Sequence, residues 1–377
     1  MIYVGIFLLI ASALYALFIL WCLYGWNRIS SEPMHSNTVL PGVSVIIPVR
    51  NEEHSISDTL NALTQQDYPK NNTEILVVDD CSVDATVSEI QKFIQEHPRD
   101  QIRLLRMDEK STGSKKAAIT LAIQSAKNSI LLVTDGDCVV PETWIRTYVH
   151  AFGEYEVEFI AGPIAFRKGG GVLGSVQSLE MMGLVGIAAA GIGVGKPMMC
   201  NGANLSYTKQ IFQDVNGFAD SKNRASGDDT QLLLKIAKLK KSKVMFLKDH
   251  GAIVQASPVH SWSQLWNQRK RWASKIPVAL SSFTISVAVI SWFTHALLLF
   301  AGVVLFFSPL LANYFFIALS LKLVSEFLLL YSLSIFFKRK SLLWLFIPAQ
   351  PFYWIYITLI GILSPFGRYQ WKGRRVR

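Results

Sequence analysis

Cysteine is scarce in this chain. Among its 377 residues there are four, Cys22, Cys81, Cys138 and Cys200, and no two have the spacing of a metal-ligand pair. A cysteine-bound metal centre is thereby excluded, and the four read as free thiols of a reducing compartment. Charge is scarce as well: only 17% of residues are Asp, Glu, Lys or Arg, and none lies between Ile2 and Trp26. A run of that length crosses a bilayer, which needs about 20 apolar residues. It has no basic stretch before it and is longer than a leader's apolar core, which argues against a cleaved signal peptide. Also missing is any single basic tract with interleaved aromatics. The net charge of +10 therefore does not point to nucleic acid. It marks cytoplasmic juxtamembrane positions facing anionic lipid. What the chain does have is apolar surface: 51% hydrophobic and 12% aromatic residues, the composition of a membrane protein.

Arg28 follows the first run with no basic residue ahead of it. The positive-inside rule then places the N-terminus outside and the next segment in the cytoplasm. After a polar linker over 27–41, the pattern changes to short β-branched strands alternating with helices. Val43 to Pro48 is a strand, and a helix follows through Ile56, Leu60 and Leu63. Glu74 to Asp80 is a second strand, with a helix carrying Ile90 and Phe93 after it. Ile102 to Met107 is a third strand, before a helix from Lys115 to Ala126. A fourth, Ile130 to Thr134, runs into Asp135-Gly136-Asp137. Strands this apolar, alternating with helices, predict an α/β fold with a parallel sheet covered on both faces.

Residues i and i+2 of an extended segment point to the same side. Asp135 and Asp137 are thus expected to present two carboxylates at a strand's carboxyl end, where open α/β sheets bind ligands. Hard paired oxygens suit Mg²⁺ or Mn²⁺, above all when a diphosphate fills the remaining coordination sites. A tight turn bearing two solvated acids fits the same residues. Asp79 and Asp80 close a second strand of the same sheet. Right-handed crossovers would bring all four acids to one rim. Lys115 and Lys116 open a helix after Ser111 to Ser114, and meet either phosphate on that rim or solvent.

Several motifs stand in order. They are Val45-Ile-Ile-Pro-Val-Arg-Asn51-Glu52, Val78-Asp79-Asp80-Cys-Ser82-Val-Asp84, Asp135-Gly-Asp137, Cys200-Asn-Gly-Ala-Asn204, Ser226-Gly-Asp228-Asp229-Thr230 and Gln268-Arg-Lys-Arg271-Trp272. Over residues 40 to 275 the chain resembles a membrane-bound family 2 glycosyltransferase, a group that includes cellulose, hyaluronan and chitin synthases and ceramide glucosyltransferases. The last motif matches that branch's QxxRW. Ser226-Gly-Asp-Asp departs from its common Thr-Glu-Asp.

The resemblance implies a GT-A, Rossmann-like mixed-sheet domain over 42–259, in the cytoplasm, and a nucleotide-sugar donor, most often a UDP-sugar. Asp80 would contact base or ribose with Asp79 supporting it. Asp135 would lie near the donor sugar and diphosphate, and Asp137 would ligate Mg²⁺ or Mn²⁺. Lys116 would neutralise the leaving diphosphate. Asp229 would be the base that takes the acceptor's proton, with Asp228 beside it; on physical grounds alone, Asp228 at the start of a helix is a capping residue. Gln268 and Arg271 would hold the diphosphate side and Trp272 would stack on the acceptor sugar. The implied partners are a nucleotide sugar, a lipid or glycan acceptor and membrane lipid. Single sugar transfer to a lipid is the leading activity. An extruding polysaccharide synthase is the alternative, and a transporter or inactive scaffold is the reading from another class.

The segment over 260–283 reads as an amphipathic helix at the bilayer surface, with Trp262, Leu265, Trp266 and Trp272 apolar or interfacial and Arg269, Lys270, Arg271 and Lys275 basic. Between the halves, the apolar run from Met181 to Gly195 is too short to span comfortably. It is either a segment against the membrane or a buried core helix. Residues 284–365 hold two or three spans, Ile285 to Phe307, Phe315 to Phe337 and a run from Trp344 to Leu363 broken by Pro348, Gln350 and Pro351. Lys322 and Glu326 are four apart and can pair along one helix face; a place on a polar path is the other reading. One early span plus three late ones would put the basic tail over 366–377 outside, against the positive-inside rule. The conflict disappears if the Leu342 to Gln350 piece, or another run, is re-entrant or interfacial; the other resolution is that the charge rule fails here.

Overall fold

The computed structural model describes residues 1–30, 40–108, 114–219, 228–240, 243–273, 281–363, 369–371 and 374–376; of Asp228 and of the last two strands it describes the backbone only. Most of the linker, residues 111–113, Ser226, Gly227, Lys275, Ile276 and part of the basic tail lie outside the described residues. The chain forms two compact units. One comprises Ile29–Arg167 and Gly191–Ser257, the other Met1–Arg28, Lys168–Ala190 and Pro258–Arg377.

The first unit is built on a seven-stranded sheet in the order β3-β2-β1-β4-β8-β6-β9. Its strands are β1 (Val43–Val49), β2 (Thr73–Asp79), β3 (Gln101–Arg106), β4 (Ile130–Val133), β6 (Phe159–Ala161), β8 (Leu205–Thr208) and β9 (Val244–Phe246). The first four pair in parallel, as their apolar runs predict. β8 runs antiparallel to both β4 and β6, and makes the sheet mixed. A smaller sheet has β10 (Val254–Ala256) between β5 (Cys138–Val139) and β7 (Ile164–Phe166). Helices α2 (Ile56–Thr64), α3 (Thr86–Glu96), α4 (Lys115–Ser125) and α5 (Trp144–Glu154) follow strands in chain order. Their apolar faces carry Ile56, Leu60, Leu63, Ile90, Phe93, Trp144 and Tyr148 into one core with Val45, Ile47, Val77 and Leu132. Each such aliphatic side chain stabilises by about 1.5–3 kcal/mol when fully buried.

Asn204 joins the two sheets. Its Oδ1 accepts Trp144 Nε1 at 2.9 Å and Tyr148 Oη at 2.8 Å, and its Nδ2 donates to Pro163 O and Ala252 O, each at 2.8 Å. It is wholly buried and makes all the hydrogen bonds its amide can. This member of the Cys200–Asn204 motif therefore holds the scaffold rather than a ligand. Two short helices complete the unit, α7 (Lys209–Asp214) and α8 (Asp228–Leu239).

The second unit is helical: α1 (Ile2–Arg28), most of α6 (Gly171–Gly193), α9 (Trp262–Ala273), α10 (Ser282–Val304), α11 (Ala312–Phe336) and α12 (Gln350–Leu363). Two short strands, β11 (Tyr369–Trp371) and β12 (Arg374–Val376), pair antiparallel after them. Among the described residues, five stretches are long and apolar enough to cross a membrane: Ile2–Arg28, Gly171–Gly193, Ser282–Val304, Pro309–Phe336 and Lys340–Leu363. The second of these differs from the expectation of a run too short to span. A count of apolar residues stops at Glu180, but in the folded chain Arg269 pairs with that carboxylate, so the helix continues back to Gly171.

α1 and α11 run side by side in the same direction. Gly5 packs on Tyr314, the Tyr15 hydroxyl donates to Glu326 at 2.6 Å, and Trp26 meets Phe336 at 5.2 Å between ring centroids. α10 runs the other way along α1, with Phe283 against Trp21 and Thr294 Oγ1 on Ala11 O at 3.1 Å. Lys322 and Glu326 pair as the spacing allows, at 2.8 Å. Gln350 closes the group, with its Oε1 2.6 Å from Lys322 Nζ and its Nε2 donating to Glu326 at 3.0 Å.

Candidate active site

The acids gather where β1, β2 and β4 end. Asp79 closes β2, and both its carboxylate oxygens accept the Ser82 amide, at 3.1 and 3.3 Å. This is an aspartate folding its own loop. Asp80 is buried, and its N–H donates to Val49 O at 2.9 Å. Arg50 reaches across from the end of β1 to the carbonyls of Asp80 and Cys81. Asn51 takes a left-handed backbone, φ 51°, so that its N–H reaches Ser82 Oγ at 3.0 Å and its Oδ1 accepts Val83 N at 3.0 Å. Beyond it, Glu52 N donates to Thr86 Oγ1 at 2.7 Å. Burial raises the Asp84 carboxyl, but hydrogen bonds from the Thr86 hydroxyl and backbone outweigh this and hold it below the usual aspartate value.

The Asp135-Gly136-Asp137 stretch differs from the expectation in one respect. β4 stops at Val133, and Asp135 to Asp137 form a turn closed by Cys138 N on Asp135 O at 3.2 Å. The two carboxylates are thus set by turn geometry and not by strand alternation. The reason is steric. A Cβ on Gly136 would stand 2.7 Å from Val49 Cγ1, so the turn lies directly on the end of β1, and Thr59 Oγ1 fixes it through Gly136 O at 3.0 Å.

Lys115 Nζ forms an ion pair with Asp135, and Lys116 is buried with its Nζ 3.4 Å from Gln231 Oε1 on α8. The position beside the DGD turn therefore belongs to Lys115. Lys116, the residue singled out from the sequence, reaches α8 instead. Successive residues of a helix point about 100° apart, so only one of the two can face the turn. On α8, Asp228 is the first residue and its side chain is outside the described residues. Asp229 accepts Gly202 N at 2.9 Å through Oδ2 and Thr230 N at 2.8 Å through Oδ1. A methyl group on Gly202 would lie 3.2 Å from Asp229 Oδ2 and 3.4 Å from Lys115 Nζ. Asp135, Lys115, Gly202 and Asp229 thus form one continuous cluster, drawn from four separate parts of the sequence.

Asp135 and Asp137 create a negative field that neighbouring groups register. Burial, and then those two carboxylates, push the Cys138 thiol well above its ordinary value. No group of three His, Cys, Asp or Glu side chains among the described residues forms a ready-made metal cage. A divalent cation on this rim fits the other common arrangement, one or two carboxylates plus the oxygens of a bound diphosphate. Asp137 is half-buried in the turn, a carboxylate of the kind that arrangement uses.

In the helical unit, α9 carries Gln268, Arg271 and Trp272. One basic residue departs from the expected polar face: Arg269 is buried at 3% exposure. The cause is Glu180 of α6, which takes Arg269 Nη2 at 2.6 Å and Nε at 3.1 Å. Burial lowers the Arg269 pKa, and the adjacent carboxylate more than restores it. Gln268 Oε1 accepts from Arg269. The Trp272 ring lies under the same guanidinium, 4.1 Å from its centroid.

A mixed sheet with acids at the carboxyl ends of its parallel strands is an α/β arrangement whose ligand rim lies at those ends, and a solved structure agrees in fold. The mannosyltransferase PcManGT of Pyrobaculum calidifontis, in complex with GDP-Man and Mn²⁺, superposes with a TM-score of 0.61 over 97% of this chain and 98% of that one, at 17% identity. The model of Glycosyl transferase family 21 matches residues 4–377, and the chain belongs to that family; the sequence motifs had suggested family 2. It is 32% identical over 183 residues to glycosyltransferase AglE of Haloferax volcanii, covering 48% of this chain and 57% of that protein. It is 26% identical over 243 residues to the beta-monoglucosyldiacylglycerol synthase of Synechocystis, covering 63% and 48%. The chain thus spans about half the length of these two relatives.

Proposed function

We propose that the protein is an inverting glycosyltransferase of a membrane. It moves one sugar from a nucleotide-sugar donor, a UDP-sugar first among them, to a lipid or glycan acceptor, with the sheet unit in the cytoplasm. The cluster of Asp229, Gly202, Lys115 and Asp135 carries this reading. It sets a carboxylate base and a partly exposed cation side by side on the rim where α/β sheets bind ligands. Family membership and a relative named for making a glycolipid support it.

In this scheme Asp80 and the Arg50-braced loops hold the nucleoside. Lys115 meets the diphosphate, the role that the motifs alone assign to Lys116. Bound Mg²⁺ or Mn²⁺, held by Asp137 and the diphosphate, would supply Lewis-acid charge neutralisation. The Gly202 amide orients Asp229, which takes the proton from the acceptor hydroxyl. The hydroxyl oxygen bonds to the anomeric carbon as the bond to the diphosphate breaks on the opposite face. Configuration inverts, and the nucleoside diphosphate leaves with the bonding electrons. Gln268, Arg271 and Trp272 serve the diphosphate and acceptor, as the QxxRW resemblance implies.

The test uses the full-length protein in membranes, a panel of UDP-sugars with GDP-mannose, and Mn²⁺. Wild type should release nucleoside diphosphate from one donor, and Asp229→Asn should lose transfer while still binding that donor. Normal turnover by the variant removes the mechanism. No turnover of any donor by wild type removes the function.

The Lys340–Leu363 run is read here as re-entrant, which reconciles the tail with the positive-inside rule. Phe346 packs on Phe327 and Gln350 on Lys322 and Glu326, so the chain first travels back along α11. Trp354 packs on the Leu298, Ala301 and Phe315 cluster, while Thr358 and Gly361 meet Trp292. α12 therefore heads towards the N-terminal end of α10, the end Arg28 shares. Single cysteines at Lys340 and Arg377, in a cysteine-free background, should react with an impermeant maleimide from the same side; labelling from opposite sides would make the run a true span.

A further inference from the structure

We propose that the buried Arg269–Glu180 pair is the device that positions Gln268 and Trp272 on α9. Arg269 stands at an unspecified position of the QxxRW motif and Glu180 lies outside it, and neither touches donor or acceptor in the scheme above. The proposal rests on that scheme for the role of Gln268 and Trp272, but not for the contacts themselves.

Arg269 uses nearly all of its planar group. Its Nε donates to both Glu180 oxygens at 3.1 Å, and its Nη2 donates to Oε2 at 2.6 Å. Nη1 donates to Gln268 Oε1, and the flat face covers the Trp272 ring at 4.1 Å. The Tyr356 hydroxyl adds a hydrogen bond to Glu180 Oε1 at 3.2 Å, which brings α12 into the same network. A forked, planar cation is what lets one side chain hold a carboxylate along its edge, an amide at its tip and an indole on its face. A lysine ammonium offers no such plane.

Two consequences follow for ligand chemistry. With Oε1 of Gln268 accepting from Arg269, its NH₂ group supplies two donors, which suit a phosphate or hydroxyl oxygen. With one face of Trp272 covered by the guanidinium, a sugar ring can stack only on the other. Glu180 and Arg269 are thus positioning residues that set the sense in which Gln268 and Trp272 meet their ligand.

The experiment compares wild type with Glu180→Gln and Arg269→Lys in full-length protein, each also paired with Trp272→Phe. Subtracting the Trp272→Phe spectrum isolates Trp272 emission and needs no substrate. Both variants should shift that emission, and Glu180→Asp should restore part of the shift. With a working donor, and acceptor supplied as diacylglycerol in mixed micelles, both should raise the acceptor KM by about 10- to 100-fold. Donor hydrolysis without acceptor, which loses only the contribution of Gln268 to the diphosphate, should fall by much less. If Glu180→Gln fails to fold, Arg269→Lys, which keeps the charge but loses the fork, decides the matter. Unmoved Trp272 emission overturns the proposal. So does a shift accompanied by an equal fall in donor hydrolysis, since that is general distortion and not positioning. Failure of wild type to act on any donor counts against the glycosyltransferase reading alone, because the emission measurement still decides the positioning.

Discussion

The two units each contain lysine–carboxylate pairs, and the pairs have different surroundings. At the rim of the sheet, Lys115 and Asp135 are 21% and 33% exposed. In the helical unit, Lys322 and Glu326 are 1% and 14% exposed, with Tyr15 and Gln350 filling further hydrogen-bonding positions. A half-solvated pair in a loop exchanges partners at little cost and can release its cation to a phosphate. A pair sealed by side chains of α1, α11 and α12 has no such freedom, because removing either charge leaves the other stranded. On the proposed function, the same two functional groups serve ligand binding in one place and scaffold in the other, and burial decides which.

Four substitutions test this contrast. The largest effect is expected at the rim. Asp137→Ala should lower turnover by about 100-fold or more while leaving the melting temperature in detergent nearly unchanged, since the residue is placed to serve the leaving diphosphate and not the fold. The reverse result, a lower melting temperature with normal turnover, would make the turn structural. Next comes Lys322→Met, which strands Glu326 and should cost about 3–5 kcal/mol of stability while activity per folded molecule persists. Adding Glu326→Leu should recover most of the loss, and a loss of transfer in the stable double variant would turn this group into part of the acceptor path. Lys115→Ala should cost only about 0–1 kcal/mol of stability yet raise the donor KM, measured by nucleotide release.

The smallest expected effect concerns pH. The carboxyl of Asp84 is held below its unfolded value, so its contribution is fully present above the ordinary aspartate range. It is lost as pH falls through the lower, folded value. Thr86→Ala removes the hydroxyl bond that helps hold it down and should cost about 1 kcal/mol near neutral pH, with the difference from wild type shrinking as melting curves are taken down towards pH 3. A gap that widens on acidification would reverse the sign of the argument.

Much of the sheet unit was legible from local patterning. The strands at Val43, Glu74, Ile102 and Ile130 and the face carrying Ile56, Leu60 and Leu63 follow from period-2 and period-3.6 hydrophobicity, which neighbours in sequence encode. The antiparallel insertion of β8 was not legible, because strand direction depends on which distant segment supplies the partner. Lys115 and Lys116 show the same limit at one residue's resolution. Both open α4, and only the position of α8 sends one to Gln231 and leaves the other for Asp135. A helical wheel groups Arg269 with the basic residues of its helix and cannot know that Glu180, 89 residues earlier, will meet it.

By itself the amino-acid order determined that the chain is an α/β domain joined to apolar helices, and which acids belong to its motifs. Those properties rest on composition and short-range periodicity. Only the tertiary structure decided which lysine faces Asp135, that Asp229 meets the Gly202 amide, that Asn204 is scaffold, and that Arg269 is buried. Each of these is a contact between segments far apart in sequence, made where excluded volume and the need to pair buried charge leave one arrangement.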